Sequence, residues 1–600
     1  MNRLAVAILF LSNAFAAPGD EFEALSVRDV KVGGEIGRRI DVTINNNLLV
    51  LDAGKDFIRP FQEKKMKDGY IGLGKLILSA VRFAAYSNSE KVRTFKDDLV
   101  ARTLATQESD GYIGILMPGS RVQALWDIHE IGYLVAGLTA DYELFGNRKS
   151  LEGAQKAAGY VLSHWREIPP DWGSRTEVAT NVAVTGLERT MLALHRATGD
   201  ARYLEFVTKE RALAECNLPV VVGRRAGIEG HIYAYMARTL AQLELFRLRP
   251  ADGLFKQADR ALEFLTRQDG MAITGGAGQW EIWTADQDGR GELAETCATA
   301  YLLRVLDNLL RMRGDSRYGD LMERVIYNTL FAAQSPDGRR IRYYAPLEGE
   351  RVYHPGDTYC CPCNYRRIIS ELPEMIYYRA KSGVVVNLFT PSEARLDAGG
   401  TRVRLTQETG YPSDGSVQVH VEPVQPARFS VSLRIPAWAH GAHVSVNGQA
   451  AAVSNAGSFT QLDREWRPGD RIRLELPLSF RLVRGRQRQA GRVALMRGPA
   501  VFCLNPSSDK SLATLDGSDL GRYTLDPASL EEIKDRSVRP GGVACAVGAW
   551  RPSHSLSAKH ELKLTLTEFP DPGGRATYFR LRDLTAAVDD ELLRSGGLGR

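Results

Sequence analysis

Long hydrophobic runs, pairs of CxxC motifs and a clear excess of one charge are all missing from this 600-residue sequence. Past the N-terminus, no stretch reaches the roughly 18 apolar residues of a membrane-spanning helix. Lysine and arginine (77) barely outnumber aspartate and glutamate (72), so no basic surface for nucleic acid is indicated. The sequence therefore predicts neither an integral membrane segment nor a nucleic-acid partner.

The N-terminus, residues 1–17, has the pattern of a signal peptide. Arg3 supplies the positive start, Leu4 to Leu11 form an apolar core, and Ala14 and Ala16 fit a cleavage site. This apolar run is too short to span a bilayer. The mature protein is therefore expected to be exported, to the periplasm or the extracellular space.

Residues 18–60 are predicted to be a β segment that packs on the C-terminal β region. Val42, Ile44 and then Leu48 to Leu51 flank Asn45 to Asn47, a pattern typical of two strands and a turn.

Residues 61–381 are predicted to be helical. Apolar residues recur on one helix face at Ile128, Ile131, Val135, Leu138 and Tyr142. Similar punctuation returns every 50 to 60 residues or so, about the size of a helical hairpin. A glycine that ends one helix precedes an Asn or Asp that caps the next; the copies are Gly146-Asn147, Gly199-Asp200, Gly314-Asp315 and, more loosely, Pro250 to Gly253. Repeated hairpins favour a closed α/α toroid, with an open solenoid as the alternative.

After residue 381 the pattern changes to β-structure. Phe429, Val431, Leu433 and Ile435 alternate with polar residues, which predicts a half-buried strand. Asn447-Gly448 is a typical hairpin turn. We predict a β-sandwich over residues 382–485 and a second, smaller β domain over residues 486–600.

The cysteines cluster between Gly356 and Arg366, which hold three of the seven. Cys360 and Cys361 could face one metal ion, and Glu295 and Cys297 would complete a set of three sulfurs and one oxygen that suits zinc. Two other readings stay open. The cysteines could be buried apolar residues, or this cluster could form a disulfide with Cys297 in an exported protein.

A glycoside-cleaving enzyme that retains configuration needs a nucleophile and a carboxylic acid. A zinc-bound thiolate is a competent nucleophile, and Cys360 is our candidate. Glu281 lies in a glycine-rich stretch between Trp280 and Trp283 and is the candidate acid. Loop statistics alone favour the alternative, a solvated loop carboxylate. The two tryptophans could be sugar platforms or core residues.

Five motifs in one order carry a resemblance to a known family. They begin at Thr274 (Thr-Gly-Gly), Glu295 (Glu-Thr-Cys-Ala), Met322 (Met-Glu-Arg-Val-Ile-Tyr-Asn), Cys360 (Cys-Cys-Pro-x-Asn-x-x-Arg) and Val386 (Val-Asn-Leu-Phe-x-Pro-Ser). With them, the chain resembles the bacterial β-L-arabinofuranosidases of glycoside hydrolase family 127, and the related family 146, over nearly its whole mature length.

The resemblance implies an (α/α)6 barrel followed by β-sandwich domains. It implies a zinc ion held by Glu295, Cys297, Cys360 and Cys361, with Cys360 as a nucleophile that forms a thioglycosyl intermediate and Glu281 as acid/base. Residues expected to contact the sugar are His129, His231, Glu323, Tyr343 and Trp280. Each histidine, taken alone, is more typical of a structural residue in or beside a helix than of a ligand.

The sequence also departs from the family pattern, and the departures line the sugar pocket. Cys363 stands where a proline is expected after Cys-Cys-Pro. A third pocket histidine is replaced near Val184 or Thr185, and Gln279-Trp280 stands where glycine commonly precedes the acid. The exact sugar therefore stays open.

Together these observations predict an exported, zinc-dependent retaining glycosidase that releases β-linked L-arabinofuranose or a similar sugar from plant-type glycans. One rival is a hydrolase or lyase for another sugar, such as a carboxylated branched one, on the same barrel. A second rival is a non-catalytic glycan-binding protein with structural zinc. The expected partner is an oligosaccharide or polysaccharide, and a homodimer is left open.

Overall fold

The computed structural model describes residues 20–123, 125–168, 186–223, 230–508, 512–515, 517–552, 557 and 559–593. The predicted signal peptide and the positions of Val184 and Thr185 lie outside these residues. No helix of the described part combines the length and the apolar character that crossing a membrane requires.

Helices are the main secondary structure of the described residues up to Glu371. Their bounds are α1 (Gly34–Thr43), α2 (Arg59–Glu63), α3 (Leu73–Ser87), α4 (Glu90–Leu104), α5 (Leu125–Phe145), α6 (Arg148–His164), α7 (Leu187–Thr198), α8 (Ala201–Glu205), α9 (Ile232–Leu248), α10 (Lys256–Arg267), α11 (Thr296–Arg313), α12 (Ser316–Val325), α13 (Cys360–Glu371) and, much later, α14 (Gly517–Leu520). The predicted punctuation is confirmed for two of the four copies: Gly199 and Gly314 end helices with φ of 73° and 64°. Asp200 and Asp315 then cap α8 and α12 through their side chains. Asn147 precedes α6 without capping it through its side chain, and Gly253 lies inside a short 3-10 helix rather than at a helix end.

Within the described residues, six helices form a closed inner ring. Around the ring, α3 packs on α5, α5 on α7, α7 on α9, α9 on α11, α11 on α13, and α13 returns to α3. Because the last contact closes the ring, the open solenoid is wrong and the toroid is confirmed. A polar cavity of about 280 Å³ lies between the inner helices, and its lining includes residues near their C-terminal ends such as Glu143, Glu244 and Glu371. The N-termini of these helices gather at the opposite end, where aligned helix dipoles favour negative charge.

The outer ring contains one helix that the sequence analysis missed. Helices α4, α6, α8, α10 and α12 pack on α3, α5, α7, α9 and α11, and α1 packs on α13. The predicted strands around Val42 and Ile44 are therefore wrong. Ile36, Ile40, Ile44 and Leu48 are all buried, and their four-residue spacing is that of one helix face. The barrel thus includes part of the segment predicted to be β.

Two β-sheets form the sandwich behind the barrel. Their strands are β1 (Phe22–Ala24), β2 (Val30–Val32), β3 (Tyr377–Ala380), β4 (Gly383–Val386), β5 (Ser392–Ala398), β6 (Thr401–Thr409), β7 (Ser416–Pro423), β8 (Ala427–Ile435), β9 (His443–Val446), β10 (Gln449–Ala451), β11 (Ser458–Trp466) and β12 (Asp470–Glu475). One sheet has the order β1-β3-β4-β8-β11 and the other β10-β9-β12-β7-β6-β5-β2. The N-terminal segment therefore contributes one short strand to each sheet.

Strand β8 differs from its prediction on its polar face. Arg434 is fully buried, because this face lies against the barrel. Its guanidinium pairs with Asp320 and, at 3.0 Å, with Glu323 of helix α12. Alternation of residue type marked the strand correctly but could not show that a helical domain covers its second face.

A third sheet forms the C-terminal β domain. Its strands are β13 (Phe480–Arg484), β14 (Arg492–Arg497), β15 (Ala500–Leu504), β16 (Thr524–Leu525), β17 (Glu531–Lys534), β18 (Val543–Trp550), β19 (Leu562–Glu568) and β20 (Tyr578–Leu581). It starts before the predicted boundary at residue 486, because β13 pairs with β14. Its core reaches Ile273, Leu293 and Leu347 of the barrel loops. This domain therefore supports the loops on the end of the barrel where the inner helices begin.

Candidate active site

Four metal-ligand side chains converge at the N-termini of α11 and α13. Glu295 precedes α11, Cys297 is its second residue, and Cys360 and Cys361 open α13. Their ligand atoms all lie within 4.8 Å of one another, and all four residues are buried. The sulfur of Cys361 is 3.2 Å from that of Cys297 and 4.0 Å from that of Cys360. The seven cysteines, all within the described chain, are free thiols, so the disulfide alternative is wrong.

The cluster fits a zinc ion by two observations. Sulfur atoms bound about 2.3 Å from one tetrahedral zinc lie about 3.8 Å apart, close to the separations of Cys361 from its two neighbours. Glu295 Oε1 accepts a hydrogen bond from Cys361 Sγ at 3.4 Å. The other carboxylate oxygen, Oε2, is buried without a hydrogen-bond partner among the described residues. An orphaned carboxylate oxygen among thiols suits a bound cation.

Ionisation within the cluster is uneven. Burial raises the pKa of Glu295, Cys297 and Cys361, because a dry site disfavours negative charge. Burial acts on Cys360 in the same direction. Hydrogen bonds from Cys297 and Cys361, the charge of Lys75 and a hydrogen bond from Tyr343 outweigh it and lower the pKa of Cys360 well below the ordinary thiol range. Cys360 is thus the thiol that carries the negative charge most easily.

Lys75 is the buried cation of the site. It lies in the first turn of α3, has no exposed surface, and its ammonium is 4.5 Å from the ring centre of Tyr133 and 5.0 Å from that of Tyr70. Glu130 of α5 holds the start of this helix, since its Oε2 accepts hydrogen bonds from Ile71 N and Gly72 N, both at 2.7 Å. The cation is therefore fixed by its helix and by aromatic faces.

Polar side chains also orient the sulfurs. Tyr343 OH is 2.5 Å from Cys360 Sγ. Asn364 donates from Nδ2 to Cys297 Sγ at 3.1 Å, and its Oδ1 accepts from Arg367 Nη1 at 2.8 Å. Asn364 lies one turn and Arg367 two turns after Cys360 on helix α13. The helix that presents Cys360 thus also positions Cys297.

The predicted acid lies on the glycine-rich loop beside this cluster. Glu281 Oε1 accepts a hydrogen bond from Tyr344 OH at 3.4 Å, and Oε2 is 3.5 Å from His231 Nε2. Tyr344 follows Tyr343, and their ring centres are 5.4 Å apart. Two tyrosines therefore connect the carboxylate of Glu281 to the sulfur of Cys360.

The backbone before each of these groups is strained. Trp280 and Glu281 have φ of 50° and 68°, Ala294 before Glu295 has φ of 56°, and Tyr359 before Cys360 has φ of 79°. Residues other than glycine rarely have positive φ angles, and holding one there costs about 1–3 kcal/mol. Such outliers concentrate at functional sites, which supports the assignment of this one.

The remaining predicted residues separate into two groups. His231 caps α9 and faces Glu281, and Trp280 is half exposed next to it. His129 is buried, with its ring 4.7 Å from that of Tyr70. Trp283 is a core residue with no exposed surface. Glu323 corrects the expectation of a pocket residue: it pairs with Arg434 at the interface between barrel and sandwich.

Several site residues were not found from the sequence. Lys75, Glu130 and Tyr344 were not among the predicted site residues. Lys75 is the one charged residue in the apolar run from Ile71 to Leu78, and this was the one visible signal. Nothing in the spacing shows that α3 and α13 are neighbours in the ring.

Comparison with known proteins agrees with this architecture. A profile described as the β-L-arabinofuranosidase catalytic domain of glycoside hydrolase family 127 matches residues 40–374, and that of the family's middle domain matches residues 383–478. A non-reducing end β-L-arabinofuranosidase from Bifidobacterium longum is 26% identical over 505 residues, which cover 72% of this chain and 74% of the relative.

Solved structures share the fold over the described chain. A family 127 β-arabinofuranosidase has a TM-score of 0.77 at 21% identity, with 95% of this chain and 99% of the other covered. A family 127 β-L-arabinofuranosidase from Geobacillus stearothermophilus has a TM-score of 0.76 at 21% identity, with 92% and 100% covered. The catalytic-domain profile matches more than half of this chain. The chain therefore belongs to glycoside hydrolase family 127 and is a glycoside hydrolase.

Proposed function

We propose that this glycoside hydrolase is a zinc-dependent retaining β-L-arabinofuranosidase with Cys360 as its nucleophile. The observation that carries the proposal is the position of Cys360 Sγ. It opens an inner helix, lies among three further metal-ligand side chains, and is the thiol of lowest pKa in the group. The sugar follows from the family and from the relative in Bifidobacterium longum, whose name also indicates action at the non-reducing end.

The reaction proceeds by two displacements. Cys360 Sγ attacks the anomeric carbon while the Glu281 carboxyl donates its proton to the departing glycosidic oxygen, which forms a thioglycosyl intermediate and a free alcohol. Glu281, now a carboxylate, takes a proton from a water molecule as that water attacks the same carbon. The carbon–sulfur bond breaks, and Cys360 regains its negative charge.

The protein residues have distinct duties in these steps. Glu295, Cys297, Cys360 and Cys361 would hold the zinc ion, which when bound supplies positive charge that keeps the thiols ionised. Tyr343 and Lys75 stabilise negative charge on Cys360 at the start and the end of the cycle. His231 and Tyr344 hold the Glu281 carboxyl, and the helix N-termini add a favourable potential for anions.

A panel of aryl glycosides tests this function. The wild type should hydrolyse the β-L-arabinofuranoside, and Cys360→Ala should lose turnover by at least about 10³-fold, because the attacking thiolate is removed. Cys216→Ala is the matched control, because this half-buried thiol bonds Gln257 far from the cluster. Metal analysis should give one zinc per chain.

The rivals give different results in the same experiment. An unsaturated product that absorbs in the ultraviolet identifies a lyase, and turnover of another glycoside alone identifies a different sugar. A wild type that binds zinc and sugar but hydrolyses no glycoside supports a non-catalytic binding protein.

Export is a separate part of the proposal and is supported by the pattern of residues 1–17. Protein recovered from the periplasm or the medium should begin near Pro18 when its N-terminus is sequenced. A mature chain that begins at Met1 in the cytoplasm would contradict it.

A further inference from the structure

Tyr359 is an exposed aromatic residue directly before the proposed nucleophile. It is 41% exposed, whereas Cys360 is only 9% exposed. Its ring stacks on Tyr70 with 4.6 Å between ring centres, and Tyr70 stacks on Trp126 at 5.0 Å. One face of the Tyr359 ring is therefore supported by the barrel, and the rest of the ring is exposed next to Cys360.

The backbone of Tyr359 would suit glycine better. Its φ of 79° and ψ of −172° fall in a region that is essentially restricted to glycine. Its N–H donates to Ile71 O at 2.9 Å, which helps to hold the segment in place. A tyrosine kept here against steric strain indicates that the ring itself is used.

The two proposed catalytic groups lie close together, and so do the residues that directly precede them. Tyr343 OH is 2.5 Å from Cys360 Sγ, Tyr344 OH donates to Glu281 Oε1 at 3.4 Å, and the two tyrosine rings are 5.4 Å apart. Tyr359 is bonded to Cys360 along the chain, so its exposed ring lies on the same side of the molecule as these groups.

Trp280 repeats this arrangement beside the acid. It directly precedes Glu281, has φ of 50° and is 50% exposed. Its N–H donates to Glu292 O at 2.9 Å. Each proposed catalytic residue is therefore preceded by an exposed aromatic residue with a left-handed backbone.

We propose that Tyr359 and Trp280 form the leaving-group subsite, and that this subsite takes a ring-bearing leaving group, such as a second sugar, in preference to a small alcohol. The proposal rests on the proposed function of Cys360 and Glu281. An enzyme that acts at a non-reducing end holds the terminal sugar at the base of its pocket, so the leaving group emerges at the rim. Exposed aromatic rings at this rim bury the apolar face of a sugar ring.

Two substrates with the same terminal sugar test the subsite, and each variant is compared with the wild type so that the difference in leaving-group acidity cancels. The substrates are methyl β-L-arabinofuranoside and a disaccharide ending in β-L-arabinofuranose. The ratio of their kcat/KM values, disaccharide over methyl glycoside, should fall about tenfold in Tyr359→Gly and in Trp280→Ala, mainly through a higher KM for the disaccharide. Tyr359→Phe keeps the ring and the backbone strain, so its ratio should stay near that of the wild type.

The outcomes separate this inference from the function on which it rests. If the wild type hydrolyses both substrates and neither variant changes the ratio, the leaving-group subsite is wrong and the proposed function stands. If the kcat/KM ratio falls as far in Tyr359→Phe as in Tyr359→Gly, the proposed stacking of the leaving group on the Tyr359 ring is wrong. A wild type that hydrolyses neither substrate overturns both proposals. Trp280→Ala provides the test by itself if Tyr359→Gly fails to fold.

Discussion

At the scale of single residues, the site is organised to carry negative charge in a dry environment. Three thiols and the Glu295 carboxyl are buried together, an arrangement that is costly without compensating positive charge. Among the described residues, Lys75 is the cation whose charge acts on Cys360. Its ammonium lies over tyrosine rings and donates to Tyr233 OH at 3.5 Å.

Replacement of Lys75 by methionine should lower kcat/KM for the proposed substrate about 10- to 100-fold, because charge on Cys360 loses its nearest protein cation. Steady-state kinetics measure the change in kcat/KM, after circular dichroism has shown that the variant is folded like the wild type. Lys96→Met is the matched control, since Lys96 is equally buried but pairs with Asp141 at 2.8 Å on the outer ring. It should lose stability and keep kcat/KM. Full activity of Lys75→Met would show that its charge does not support the reaction.

At the scale of elements, the site depends on how closely the inner helices approach. A Cβ atom on Gly74 of α3 would lie 2.1 Å from the carbonyl carbon of Tyr133 and 2.2 Å from Leu134 N, both backbone atoms of α5. Backbone cannot move aside as a flexible side chain can. Glycine at position 74 therefore sets the spacing between the helix that carries Lys75 and the helix that carries Glu130 and His129.

Gly74→Ala should lower the free energy of unfolding by at least about 2 kcal/mol, because it forces α3 away from α5. Gly159→Ala is the control on helix α6, where a Cβ atom meets nothing within 4 Å. Alanine there should stabilise the helix by about 0.5–1 kcal/mol. Thermal and denaturant unfolding of both variants measure the difference. Equal midpoints for the two variants would mean that the helix spacing tolerates a side chain.

Prediction from the sequence succeeded for elements whose pattern is local. The helical hairpins and the change to β-structure after residue 381 both follow from periodicity and capping residues. Helix α1 was missed. The short alternation around Val42 and Ile44 was interpreted as a strand, and the four-residue spacing of apolar residues from Ile36 to Leu48, which indicates a helix, was overlooked. The ligand cluster was predictable because its motifs are distinctive. Lys75 was not, because its role depends on which helices are neighbours.

At the scale of the whole molecule, the barrel and the β domains pack against one another through buried interfaces. A continuous apolar core runs from the barrel into the sandwich, and the third sheet packs on loops that carry site residues. The buried pairing of Arg434 with Asp320 and Glu323 ties strand β8 to helix α12. Because Glu323 is engaged in this pairing, it lies away from the metal-ligand cluster although it belongs to the family motif that begins at Met322.

Arg434→Met should destabilise the protein by about 3–5 kcal/mol, because it leaves two buried carboxylates without a cation. Arg428→Met on the same strand should cost less than about 1 kcal/mol, since its pairing with Asp463 is exposed. Scanning calorimetry measures both. Glu323→Gln should leave KM unchanged, and a raised KM would return Glu323 to the sugar site.

The central claim is that the sulfur of Cys360 bonds transiently to the sugar. Glu281→Gln removes the base needed to release the sugar, while a β-L-arabinofuranoside with a good leaving group still permits the first displacement. After brief incubation, mass spectrometry of the intact variant should show one added arabinosyl unit, and peptide mapping should place it on Cys360. The addition should be missing from the double variant Cys360→Ala/Glu281→Gln. A sugar attached to another residue, or turnover of the wild type with inverted configuration, would contradict the account.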